Sequence, residues 1–284
     1  MPSFLNRRRF VSVIGRKSAV PDGLWVKCPG CAQAVVRSDV EENLEVCPTC
    51  GYHRKIAARK RIEALVDPGT FQETHTDLKT GDPLDFTVEG VSYGDKVDAS
   101  VKRTGLQESV ITGFGDIEET RTVLAVMDFG FMGGSMGSVF GEKFCRASED
   151  AIRERVPFVT FTCSGGARMQ EGVLSLMQMA KTCGAVRAMN DAGIPYIVIL
   201  TDATTGGVYA SFAGVGDVTL AEPGAEIGFT GKRLIEGALR VKIPDGFQTA
   251  DYQRNNGFID QIVSRQDMRP TLGRLLRYLT PQAA

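Results

Sequence analysis

The chain has 284 residues, 43% hydrophobic and 24% charged, an ordinary globular composition that suits one small and one larger domain. A net charge of −1 gives no overall electrostatic case for nucleic-acid binding, and the sequence holds no apolar run long enough to span a bilayer. Its 32 glycines predict tight turns and close approaches of backbone to ligand.

Residues 1–23 read as a basic, mobile tail. Arg7-Arg8-Arg9-Phe10-Val11 has the look of a twin-arginine export signal. However, Gly15-Arg16-Lys17 cuts the run Val11 to Ile14 before a signal-length apolar segment can form, so a cytoplasmic location is expected. Residues 24–53 then carry Cys28, Cys31, Cys47 and Cys50 in the spacing C-x2-C-x15-C-x2-C. Each pair brackets a tight turn, so four thiolates can converge on one tetrahedral zinc ion and close its shell, which makes the metal structural rather than catalytic. Seven cysteines, an odd number, argue against a pure disulfide framework, and Cys145, Cys163 and Cys183 are expected to be small buried residues.

Residues 54–99 are expected to form a helix and a linker. A helix is predicted over His53 to Val66, carrying Arg54, Lys55, Arg59, Lys60 and Arg61 and stopped by Asp67-Pro68-Gly69. Its basic face is either merely solvated or a contact for RNA or a nucleotide phosphate. Phe71 to Ala99 is polar, with turns expected at Gly81-Asp82-Pro83 and Tyr93-Gly94-Asp95. Beyond this, residues 100–284 alternate apolar runs with helical stretches. Strands are predicted at Thr122–Phe129, Val156–Cys163 and Ile194–Leu200, and helices at Gly141–Arg155 and Gln170–Asp191, the pattern of an α/β domain.

Two of these strands run into glycine-rich turns that open helices: Ser164-Gly165-Gly166-Ala167-Arg168-Met169-Gln170-Glu171-Gly172 and Thr204-Thr205-Gly206-Gly207-Val208-Tyr209. Paired glycines at a helix start can aim free N–H groups at an anion or oxyanion, or they can simply permit close helix–strand packing. Matching placement of both turns favours function. The loop Gly130-Phe131-Met132-Gly133-Gly134-Ser135-Met136-Gly137 matches neither a dinucleotide nor a P-loop template, and either lines the same crevice or is a flexible turn. Neither histidine, His53 or His75, lies near the turns in sequence, and no nucleophile elbow or metalloprotease motif is present. Backbone donors that stabilise a thioester enolate fit this inventory better than side-chain acid–base chemistry.

The four-cysteine ribbon, Phe131–Gly137, Ser164–Glu171 and Thr204–Val208, with Ala221-Glu222-Pro223, Ile227-Gly228-Phe229-Thr230-Gly231 and Gly257-Phe258-Ile259-Asp260, closely resemble the carboxyltransferase beta subunits of bacterial acetyl-CoA carboxylase. The resemblance covers nearly the whole chain. It implies a crotonase-like (ClpP/crotonase) ββα-superhelix core behind the zinc ribbon. It also implies transfer of a carboxyl group from carboxybiotin on the biotin carboxyl carrier protein to acetyl-CoA, giving malonyl-CoA, the first committed step of fatty acid synthesis. The released biotin nitrogen would take the α-proton. Gly206 and Gly207 would supply oxyanion donors, and Gly165, Gly166, Gly133 and Gly134 would shape the acyl-CoA pocket. Arg168 would either contact a CoA phosphate or hold its turn. A separate alpha subunit would complete an α2β2 assembly, with biotin carboxylase and its ATP chemistry elsewhere in the complex.

Two other readings compete. A crotonase-type hydratase or isomerase would need a carboxylate near the thioester, for which Glu171 is the candidate. A zinc-ribbon RNA-binding module would leave the two glycine turns unexplained.

Overall fold

The computed structural model describes residues 23–280, so the basic tail expected before them, including Arg7 to Arg9, lies outside the described residues. The ribbon holds β1 (Trp25–Lys27), β2 (Ala34–Val36) and α1 (Arg37–Glu42), with β1 and β2 antiparallel. Its small core is Cys28, Val35, Val40 and Cys47, too little apolar surface to hold such a segment without a further staple.

After the ribbon come α2 (Ala58–Leu65), β3 (Gln72–Thr74), a hairpin of β4 (Thr87–Val88) and β5 (Val91–Ser92), and α3 (Tyr93–Thr104). Several expectations fail here. The predicted helix at His53 begins only at Ala58: residues 53–57 are not helical, Ala57 is extended, and His53 forms an isolated bridge to Val46. The stretch expected as linker supplies an edge strand of the main sheet and a full helix. Tyr93-Gly94-Asp95 is no turn: Ser92 caps α3 by accepting the Asp95 N–H at 3.0 Å, and Gly105 closes it in the left-handed conformation. The expected boundary at residue 100 therefore falls inside a helix.

The core elements are β6 (Val110–Ile117), β7 (Thr120–Met127), α4 (Ser138–Glu154), β8 (Phe158–Ser164), α5 (Val173–Asp191), β9 (Tyr196–Thr205), α6 (Gly206–Tyr209), β10 (Val218–Ala221) and β11 (Ile227–Gly228). They are followed by α7 (Lys232–Leu239), α8 (Ala250–Asn255), β12 (Gln261–Ile262) and α9 (Met268–Leu279). The sheet runs in the order β12-β10-β9-β8-β7-β6-β3, with β11 also paired to β9. From β12 to β7 the pairings are parallel, and β6 and β3 are added antiparallel.

Why the central strands read as unbroken apolar runs follows from which face each residue covers. Val123, Ala125 and Met127 of β7, and Tyr196, Val198 and Leu200 of β9, face a core that includes Phe140, Phe144 and Ala147 of α4. Leu124 and Val126, and Ile197 and Ile199, face the opposite core with Ile62 of α2, Val97 of α3 and Leu272 of α9. Period-two alternation therefore buries both faces, as expected of a parallel sheet covered by helices on each side. The loops at the carboxyl ends of β7, β8 and β9 carry the three glycine-rich segments, the usual place for a ligand crevice in such a sheet.

Candidate active site and ribbon

The first turn follows β8. Gly165 donates its N–H to Gly133 O at 3.1 Å, and Gly166 donates to Ser164 Oγ at 2.9 Å. Met136 N–H to Gly166 O (2.9 Å) and Arg168 N–H to Met136 O (2.8 Å) stitch the Gly130–Gly137 loop alongside, so that loop is a bonded part of the crevice wall rather than a flexible turn. Gly134 has φ +66°, and a Cβ there would stand 1.9 Å from the Cys163 carbonyl oxygen; no other residue fits. The expected helix start at Gln170 is also displaced: a short 3-10 turn over Met169–Glu171 intervenes, and α5 begins at Val173.

The second turn follows β9 and touches the first. A Cβ built on Gly206 would lie 3.0 Å from the Gly166 Cα, so the two turns meet glycine to glycine. Gly206 N–H is spent on Phe229 O at 2.8 Å. Gly207, next along and in the first turn of α6, has an N–H with no partner among the described residues. The paired donors expected from Gly206 and Gly207 thus reduce to Gly207, because β11 and the residue after it claim its neighbour.

Arg168 is fully buried. Its guanidinium meets both Glu108 oxygens, and donates to Ser135 O (2.6 Å), Ser135 Oγ (3.0 Å) and Tyr93 Oη (3.2 Å). Of the two roles open to it, contact with a CoA phosphate is ruled out by this burial; it is the strut beneath the first turn. Burial opposes ionisation of Glu108, yet the Arg168 charge holds its carboxyl below the usual carboxylate value. Glu171 is likewise occupied: it accepts from Tyr93 Oη at 2.7 Å and from the Ser138 N–H at 2.6 Å, capping α4. It offers no free base for hydratase chemistry. Glu108 and Tyr93 were not legible as site residues, since nothing local marks a partner 60 or 75 positions away.

In the ribbon, the sulfurs of Cys28, Cys31, Cys47 and Cys50 all lie within 4.8 Å of one another, and Cys28 and Cys50 are 3.7 Å apart. Sulfurs about 2.3 Å from one tetrahedral zinc ion sit about 3.8 Å from each other, so the four residues fit that metal. Burial works to raise the Cys47 thiol, but the N–H groups of Cys50 and Thr49 bring it down to about 6. The Tyr52 N–H favours the Cys50 thiolate, while lost water and the three neighbouring sulfurs push it up to about 12. A dication would displace the protons such a cluster otherwise keeps. Outside the ribbon, Cys163 is buried as expected, whereas Cys145 and Cys183 are only partly covered.

The basic stretch after the ribbon is neither a free cationic face nor a simply solvated one. Arg61 is buried against Glu222 at 2.6 Å, and Arg265 Nη2 reaches the other Glu222 oxygen at 2.6 Å. Burial opposes ionisation of Glu222, yet these two arginines hold it down at about 2. Arg265 also donates to Leu44 O (2.6 Å) and Arg54 O (3.1 Å), and its N–H reaches His53 Nε2 at 3.1 Å. His53 therefore carries its proton on Nδ1, bonded to Gly51 O at 2.9 Å, and burial keeps the ring neutral. Arg59 pairs with Glu73, and Lys55 Nζ sits 3.0 Å from the Phe129 ring centre. His75 pairs with Asp150 at 2.9 Å.

Residues 53–249 match the model of the carboxyl transferase domain, and residues 25–50 match that of the acetyl-CoA carboxylase zinc finger domain. The acetyl-coenzyme A carboxylase carboxyl transferase subunit beta of Pelobacter propionicus is 51% identical over 95% of this chain and 94% of its own length. Its counterpart in Carboxydothermus hydrogenoformans is 46% identical over 98% and 99%. Among solved structures, transcarboxylase 12S with methylmalonyl-coenzyme A bound aligns with TM-score 0.64 and 27% identity; it covers 78% of this chain, which spans 41% of that longer one. The MdcD-MdcE heterodimer of Pseudomonas malonate decarboxylase, at TM-score 0.59 and 24% identity, shares the fold. With a domain model covering most of the chain and full-length relatives near half identity, the chain belongs to the family of acetyl-coenzyme A carboxylase carboxyl transferase beta subunits.

Proposed function

We propose that this chain binds acetyl-CoA and stabilises its enolate while the carboxyl group of carboxybiotin is transferred to it, giving malonyl-CoA. The observation that carries this reading is the unpartnered Gly207 N–H at the junction of the two glycine turns. As a proton leaves the thioester methyl group, charge gathers on the carbonyl oxygen, and a fixed donor in a sheltered crevice holds it with no reorganisation. Gly165, Gly166, Gly133 and Gly134 act as wall rather than donors, their backbones close enough to exclude side chains from the acyl pocket. Carboxybiotin supplies the carboxyl group, and its vacated nitrogen takes the methyl proton, a role for which Glu171, His53 and His75 are already engaged elsewhere.

The second half of the site comes from an alpha subunit in an α2β2 assembly, with the biotin carboxyl carrier protein delivering the biotin. Support lies beside the first turn, where Met169, Val173, Leu176 and Met177 are 55–70% exposed while Ser175, Gln178 and Thr182 of the same helix are buried. A helix with its apolar side outward calls for a covering partner. The location is the cytoplasm, where reduced cysteines persist; among the described residues no helix is long and apolar enough to cross a membrane. One structural zinc ion fills the ribbon, so metal analysis should give one zinc per chain, and Cys28→Ser should lose it.

The test is biotin-dependent conversion of malonyl-CoA to acetyl-CoA, by the chain alone and co-purified with an alpha subunit. Turnover only in the complex is expected. Inactivity in both, with hydration of crotonyl-CoA by the single chain, would return the reading to a hydratase.

A further inference from the structure

A cavity of about 170 Å³ lies among α2, β3, β6 and α4, with Arg59, Glu73, Thr76, Gln107, Glu108 and Lys143 as its polar side chains. Lys143, from α4, is 3% exposed, and among the described residues it is the buried cation that holds no carboxylate. The other buried cations are each matched: Arg61 and Arg265 meet Glu222, and Arg168 meets Glu108. Among the described residues Lys143 Nζ has one hydrogen-bond partner, the Val110 carbonyl at 3.5 Å, longer than an ordinary N–H···O bond.

The carboxylates nearby are already engaged. Glu73 pairs with Arg59 at 3.0 Å, and Glu108 accepts from Arg168, Thr80 Oγ1 and the Ser109 N–H. Burial drives Lys143 toward the neutral amine; Glu73, Glu108 and Asp77 oppose this through space, and Arg59 adds to it. A buried amine settles either by giving up its proton or by gaining a counter-ion. The cavity decides between the two: an amine that sheds its proton needs no polar space beside it, whereas a counter-ion needs both room and donors. Arg59 spends one N–H on Glu73 and has others to offer, while Thr76 and Gln107 add a hydroxyl and an amide. The volume is below the roughly 300–1,000 Å³ of cofactor-sized sites, and leaves room for an ion of a few heavy atoms with water around it.

We infer that this cavity is a binding site for one small monovalent oxyanion, a carboxylate or bicarbonate, held by Lys143 and Arg59 with Thr76 and Gln107 completing its shell. The single charge follows from the lining: the Arg59–Glu73 and Arg168–Glu108 pairs cancel, which leaves Lys143 to neutralise. Arg59, with its side chain 54% exposed, stands at the mouth, and Lys143 at the buried end. An oxyanion presents acceptors in two directions, so one oxygen can meet the ammonium and another the guanidinium, which a halide cannot do. Glu108 lines the same cavity, so the site adjoins the strut beneath the first glycine turn without entering the crevice. It is independent of the acyl-CoA reading.

The experiment follows thermal unfolding of the zinc-loaded chain in sodium gluconate, a bulky anion, replaced at constant pH and ionic strength by formate, acetate or bicarbonate. The melting temperature should rise saturably with the small oxyanions; at about a hundredfold excess over the dissociation constant the folding equilibrium should shift by about a hundredfold. In Lys143→Met, which keeps a long unbranched side chain without the charge, the dependence should vanish. The order of formate, acetate and bicarbonate identifies the source, an organic acid or dissolved bicarbonate, and either supports the site. No difference from gluconate, a rise undiminished in Lys143→Met, or an equal response to chloride would overturn the proposal. Hydrogen exchange on the unsubstituted chain covers a variant that fails to fold: formate or bicarbonate should slow exchange at residues 105–111 and in α4 while leaving the ribbon unchanged. Uniform slowing, or none, would overturn it too.

Discussion

The two glycine turns look alike in sequence and do different work. After β8, both glycine N–H groups are consumed within the loops, and a buried arginine with its carboxylates supports the backbone from below. After β9, one glycine N–H is tied to Phe229 and the next is left open. Among the described residues no ion pair holds this second turn; its anchors are neutral, such as Thr205 Oγ1 to Ser164 O and Ser211 Oγ to Gly207 O. A strand-to-helix glycine pair is thus only a licence for close approach. Whether it becomes wall or donor depends on which neighbouring carbonyl reaches it first.

That contrast can be broken at its strongest point by Arg168→Met. The substitution leaves Glu108 buried without its partner and should cost about 3–5 kcal/mol of stability in denaturant unfolding, with the loss of turnover following from the collapsed wall. Next in size, Gly207→Pro removes the open N–H and should lower kcat by roughly 10²–10³ with little change in stability, whereas Gly207→Ala keeps the donor and should retain most of the rate. The Cβ of that alanine would meet the flexible end of Met179, which can move aside. If alanine and proline prove equally damaging, the donor role is wrong.

A smaller effect separates the two adjacent loop glycines. Gly133→Ala faces open space and should cost roughly 1–2 kcal/mol for its left-handed backbone alone, while Gly134→Ala must also displace the Cys163 carbonyl and should cost more. Thermal unfolding of the pair reads the difference directly. The smallest effect at neutral pH, and the most selective one, is acid. Glu108 has a folded pKa lowered from its ordinary 4.5, so its stabilisation is fully present above that value and is lost as pH falls below it. As pH falls below that value, protection against hydrogen exchange, corrected for the intrinsic rate, should therefore be lost at Gly165 to Arg168 before it is at Gly206 to Val208.

Much of this was legible because it is local. The cysteine spacing, the buried central strands and both glycine turns each carry their signal within a few residues. Helix α3 was missed: Ser92-x-x-Asp95 has the form of a capping pair, but the glycine at position 94 drew the reading toward a turn. Strand β3 is three residues long and half exposed, so it has no periodicity to detect. The buried charges were beyond reach for another reason. Arg61, Glu222 and Arg265 look like ordinary surface residues in any window, and only the folded chain brings together positions 161 and 43 apart. The same holds for Arg168, whose exposed or buried role is decided by Glu108.

The Arg265 side chain bears on how the protein could be cut into parts. The recurring sequence units divide near residues 50 and 53, which invites removal of the ribbon as a detachable module. Physically the seam lies elsewhere. A core-only fragment starting at residue 53 would strip Arg265 of the Leu44 carbonyl and leave His53 without Gly51. Chelating the metal should accordingly be felt at the segment leading into α9, more than two hundred residues downstream, and the ribbon and the carboxyl end are better regarded as a single folding unit interrupted by the sheet.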